Sequence, residues 1–153
     1  AEAAALAAPM ITDEALEELE GLIQAMVSPE ENESLSHDEA DRMFHLTIAQ
    51  ATNNPAIIYT IENMWRMRTD AAKLQSVYQS VCDEDSADRE REHRAILDAL
   101  QARDPSAARA AMRSHFTRMI RALLKASEEE AYREVKRKTS ESRSRFLLTT
   151  ELD

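Results

Sequence analysis

The sequence predicts an all-α fold, an antiparallel bundle of six to seven helices, and three observations predict it. Ala, Leu, Glu and Arg dominate the long segments, and the 153 residues include one Gly and four Pro. Such residues lose little backbone or rotamer freedom in a helix. No stretch alternates apolar and polar residues between Gly-rich or Asn-Gly turns, as a half-buried strand would. Capping residues and prolines punctuate the chain at helical lengths. The length suits one compact domain with a sizeable core.

Each helix has its own start and stop. The opening Ala-rich segment reads as the inside of a helix, running to Ala8 and stopped by Pro9. Thr12 caps a second helix through Met26, with Leu16, Leu19, Ile23 and Met26 on one face, and Ser28-Pro29 ends it. Ser36 or Asp38 starts a third, which runs to about Thr52. Asn54 caps a fourth with Pro55 at its first position, reaching about Tyr78. The acidic stretch Asp83-Glu84-Asp85-Ser86 opens a fifth, where negative charge suits the N-terminal end of the helix dipole. Arg103-Asp104-Pro105 closes the fifth and caps a sixth that passes Leu124. This organisation makes residues 1–126 the helical domain and 127–153 a charged C-terminal helix or tail, with an apolar patch at Phe146-Leu147-Leu148.

Charge and composition remove several function classes. The net charge is −10, from 29 acidic and 19 basic side chains, and a field of that sign repels phosphate backbones. DNA contact is therefore expected only through a separate domain. No apolar run reaches the ~18 residues of a membrane span, and the opening residues carry no basic signal region. The lone cysteine, Cys82, forms no internal disulfide and fits a reducing cytoplasm.

Three helices carry titratable residues where their stripes should be apolar. His93, Ile96, Leu97 and Leu100 share the core face of the fifth helix. Ala108, Ala111, Met112, His115, Met119 and Leu123 do so in the sixth, and Asp41, Phe44, His45 and Ile48 in the third. A buried carboxylate and imidazoles are costly unless each meets a compensating group. Their heights match as well: His93 stands eleven residues before Asp104 and His115 eleven after, so an antiparallel hairpin puts them level. Asp41 and His45 lie one helical turn apart. Three nitrogens and an oxygen suit a divalent transition metal, zinc first and nickel or manganese next, over magnesium or calcium. A structural Asp–His hydrogen bond is the plainer alternative. Glu90-Arg91-Glu92-His93 contains Glu-x-x-His, but a di-iron site needs a second such pair, and the segments ending in His45 and His115 lack the glutamate. His37, before the third helix, is expected in solvent.

At these residues the chain resembles a known family. Asp41-Arg42-Met43-Phe44-His45 with Ile48-Ala49-Gln50-Ala51-Thr52-Asn53-Asn54-Pro55 is similar to the D-x-x-F-H…I-A-x-A-x-x-N-P run of FCD (FadR C-terminal) domains. Glu92 to Leu100, Arg103-Asp104-Pro105 and Ala110 to His115 resemble the closing hairpin, and the match covers roughly Glu2 to Leu124. The resemblance implies the effector-binding half of a GntR-family transcription regulator: a helical bundle that binds a small organic acid, behind an N-terminal winged helix-turn-helix DNA reader. That reader is expected outside this chain, and the first helix starts later than in relatives, without a segment that often carries an arginine. The family's metal positions carry over onto Asp41, His45, His93 and His115.

A sensor reading then follows, with no enzymatic activity. A carboxylate or sugar acid would fill a remaining coordination position, while a guanidinium held its other end bidentately. Arg68, on a stripe with Ile57, Ile61, Met64 and Trp65, is the first candidate, and Arg118, one turn after His115, is the second. Met64, Trp65 and Met112 would line the pocket. The expected assembly is a homodimer in which the acid biases the DNA readers. Two rivals stand beside it: a metal-dependent hydrolase, for which Glu90 is the one available base, and a structural-metal dimerisation domain with a closed shell.

Overall fold

The structure, a computed structural model, describes residues 1–27, 35–70 and 86–150, with side chains described at 1–27, 35–67 and 88–146. Six helices occupy them: α1 (Glu2–Ala7), α2 (Asp13–Val27), α3 (His37–Ala51), α4 (Pro55–Asp70), α5 (Ser86–Gln101) and α6 (Pro105–Thr150). The all-α expectation holds. Cys82 and the expected end of the fourth helix near Tyr78 lie outside the described residues.

Local chemistry sets the starts. Thr12 Oγ1 accepts from the Ala15 amide at 3.2 Å, and Ser36 Oγ from the Glu39 amide at 3.3 Å. Asn54 Oδ1 accepts from Ala56 and Ile57, and Asp104 Oδ1 from Ser106 and Ala107, each ahead of a proline that has no amide hydrogen to satisfy. The ends use left-handed backbone at Asn53 and Arg103, both at φ 50°. Beyond α5 the Asp104 amide returns to Ala99 O at 3.1 Å and the Arg103 amide to Leu100 O at 2.9 Å, the pairing that closes orphan carbonyls after a left-handed residue.

Packing follows the apolar stripes. α2 lies against α3 and α5, α1 against α6 and α3, and α4 against α3, while α5 and α6 pair as an antiparallel hairpin. Leu19, Ile23, Phe44, Ile48, Ile96, Leu97 and Leu100 are almost fully buried in one core, with the small residues Ala4, Ala7 and Ala108 letting α1 approach α6 closely. The Arg103 side chain ties the hairpin turn to the α1–α2 junction, donating to Ile11 O and to Asp13 Oδ1. His37 departs from expectation: it opens α3 half-buried, with an enclosed Nδ1 that has no hydrogen-bond partner among the described residues. The segment after 126, which composition leaves undecided between helix and frayed end, continues α6 without a break.

Candidate metal centre

Asp41, His45, His93 and His115 come together where α3 meets the α5–α6 hairpin. Each offers one ligand atom, and these atoms lie within 4.8 Å of one another. All four side chains are buried, His93 at 1% exposure and Asp41 at 3%. The three imidazoles form a cluster, with ring centroids 4.7 Å apart for His93–His115 and 5.3 Å for His45–His115. Phe44 meets His93 edge-on at 4.8 Å, and Phe116 lies 5.4 Å from His45, so aromatic rings wall two sides.

Hydrogen bonding orients the rings. His93 Nδ1 lies 2.8 Å from the Arg89 carbonyl, which can only accept, so Nδ1 carries the proton. In the neutral ring Nε2 is then a lone pair, yet it lies 3.0 Å from Asp41 Oδ1, itself an acceptor. Two facing lone pairs demand a cation between them or one further proton shared by the pair. His115 Nδ1 likewise donates to Glu92 Oε2 at 3.0 Å, which leaves its Nε2 as a lone pair. Such outer contacts fix the tautomer that a metal-binding histidine needs. The donor set therefore fits a divalent transition ion: one carboxylate, and two imidazoles with their proton-bearing nitrogens committed elsewhere.

Electrostatics agree with the geometry. Burial alone would push the Asp41 carboxyl up, but hydrogen bonds and charge from His45 and His93 hold it well below the usual carboxylate range. Burial pushes His45 down to about 4 despite the opposing pull of Asp41, so the ring is neutral at physiological pH. Burial works to raise Glu92, while His115 and Arg118 lower it by more.

Sequence reasoning missed Glu92. It bridges His115 and Arg118, whose Nε donates to Glu92 Oε1 at 2.6 Å. The signal was available: Glu92 precedes His93, so it faces His115 across the same hairpin level. Glu90, the residue weighed as a base, does not enter the cluster. Phe116 was also missed, since it lies just off the histidine stripe.

The expected effector residues are spread more widely. Trp65 is half-buried, 5.9 Å from the His45 ring. Met112 is buried in the core. Met64 corrects the stripe assigned to α4: it is 60% exposed, because the half-buried residues Ile57, Ile58, Ile61 and Trp65 turn the inward face toward Ile58 and leave Met64 beyond its edge. The Arg68 side chain lies outside the described ones. Arg118 engages Glu92, and beside it an open groove of about 680 Å³ runs along α6, lined among others by Arg109, Arg113, Arg118 and Arg121. Met64, Trp65 and Met112 do not line that groove.

Comparison with known proteins adds the lineage. Residues 1–118 match the FCD domain family. NedR of Micromonospora viridifaciens, named for a transcriptional regulatory role, is 33% identical over 78 residues, which is 51% of this chain and 54% of NedR. Escherichia coli McbR/YncC superposes with a TM-score of 0.68 at 23% identity, over 80% of this chain and 57% of that one, a likeness of fold. The chain belongs to the FCD family. It spans about half the length of the curated relative it matches.

Proposed function

We propose that this chain is the effector-sensing domain of a GntR/FadR-type transcriptional regulator, holding a divalent metal, zinc foremost, and a small organic acid. DNA binding would belong to a separate winged-helix domain and the assembly would be a homodimer in the cytoplasm. No helix among the described residues is long and apolar enough to cross a membrane. The observation that carries the reading is the facing of His93 Nε2 and Asp41 Oδ1 at 3.0 Å inside a four-residue buried cluster.

Each residue has a distinct role in it. Asp41, His45, His93 and His115 would hold the ion, which when bound supplies a Lewis-acid centre for an oxygen donor. Arg89 O and Glu92 keep the lone pairs of His93 and His115 turned inward. Phe44 and Phe116 keep water from the imidazoles. Arg68 or Arg118 would receive the far end of the acid, with Trp65 beside the His45 ring and Met64 and Met112 completing the lining. Arg118 would have to share its guanidinium with Glu92, which favours Arg68 as the first anchor.

Calorimetry on zinc-loaded and chelator-stripped protein tests the proposal across carboxylates and sugar acids. Binding of an acid only to loaded protein is expected, with loss on His93→Ala. Zinc should raise stability by about 2.7 kcal/mol at a hundredfold excess over its dissociation constant. Failure to take up any divalent ion overturns the metal reading. Uptake of metal without any acid ligand leaves a structural ion and overturns the sensor.

A further inference from the structure

The family match ends at residue 118, yet α6 runs on to Thr150. From Ser127 to Phe146 every side chain except Glu130 and Glu134 is exposed. The exposed residues include large apolar ones: Leu124 at 59%, Tyr132 at 69%, Val135 at 63% and Phe146 at 72%. At 100° per residue Leu124, Ala131, Val135, Ser142 and Phe146 fall on one side of the helix. The span from Leu124 to Phe146 is roughly 33 Å long, about three heptads, which is near the minimum for a helix pair.

Charge runs in one direction along this helix. Glu128, Glu129 and Glu130 stand together, and from Arg133 to Arg145 six basic residues outnumber two acidic ones. We propose that this extension pairs antiparallel with the same extension of a second copy, centred at Val135. That register sets Leu124 against Phe146 of the second copy, Ala131 against Thr139, and Val135 against its own counterpart. It also sets Glu134 against Lys136 of the second copy and lays Glu128 to Glu130 beside residues 140–142, between Lys138 and Arg143, where charge selects orientation. A parallel, in-register pair would put Glu128 beside Glu128 and Arg143 beside Arg143. Arg137 bridges Glu134 and Glu141 within the helix, on the side turned away from Val135.

The pairing gives the homodimer proposed above one specific contact, and it rests on that reading for its stoichiometry alone. The test uses the full chain with Cys82→Ser, so that added cysteines are the only thiols. Under mild oxidation Val135→Cys is expected to cross-link to itself. Leu124→Cys and Phe146→Cys, each alone, should link at least tenfold more slowly, while an equimolar mixture of the two, one copy tagged, should link between unlike copies. Circular dichroism confirms that each variant keeps its helix. Rapid self-linking of Phe146→Cys would show a parallel pair and overturn the register. Absence of linking in a chain that still runs as a dimer overturns the pairing while sparing the dimer. A monomeric chain overturns both.

Discussion

The two halves of α6 are one continuous helix with two different reasons to exist. Its first half buries Ala108, Met112 and His115 against α1 and α5. Its second half, from Ser127, exposes nearly every described side chain and carries pairs within its own turns, such as Arg137–Glu134 and Lys138–Glu134. Exposed pairs of this kind contribute only a few tenths of a kcal/mol each. Helix propensity is therefore enough to extend α6, whereas burial decides which part of it takes part in the site.

The largest break in this contrast should come from the core. Phe44 is fully buried and packs edge-on against His93, so Phe44→Ala is expected to cost about 3–5 kcal/mol in denaturant unfolding. Val135→Ala, on the extension, should leave the unfolding of the monomer unchanged.

Acid comes next, measured on metal-free protein. His45 is held down at about 4 in the fold, against roughly 6.5 in an unfolded chain. Between those values the unfolded chain takes up a proton that the native ring refuses, so stability falls as pH drops through the window. The full difference is on the order of a few kcal/mol. The lowered Asp41 carboxyl acts in the same direction, but only below the usual carboxylate value. Thermal melts from pH 7 to 4.5 should show a steady loss, and a melt insensitive to pH there would mean that His45 is not enclosed.

Glu92 probes the site from outside. Glu92→Ala should weaken zinc binding about 10–100-fold by freeing the His115 ring, and Glu92→Gln by less, since its amide oxygen still accepts from Nδ1. Competition with a coloured chelator reads the ratio. The smallest effect is expected from removing residues 127–153: at concentrations that keep the chain monomeric, the melting temperature of the body should not move, while helical ellipticity falls.

Much of this was legible because helix punctuation is local. Ser36, Asn54 and Asp104 act through amides two or three residues away, and the α3, α4 and α6 starts follow directly. The four ligands were legible for a different reason: a polar residue on an apolar stripe is conspicuous, and symmetric spacing about Asp104 fixed the hairpin level. Glu92 was harder, because on its own helix it reads as an ordinary solvent-facing acid, and only the partner helix encloses it. Met64 went astray because hydrophobicity defines a stripe only to within about one residue, and α4 rolls toward Ile58 against α3. The length of α6 was illegible since a charged segment is equally compatible with a solvated helix and a frayed end.

The turn at Arg103 sets a constraint on inheritance. Three residues, Ala102 to Asp104, separate α5 from α6, and Arg103 holds its left-handed backbone while its side chain grips Ile11 and Asp13. One inserted residue there would re-phase α6 by roughly 100° and shift it by about 1.5 Å relative to α5. His115 would swing away from Asp41, although no ligand had been replaced. Among descendants of this chain that keep the four ligands, this turn should hold its length while loops that do not set the phase of a ligand helix are free to grow.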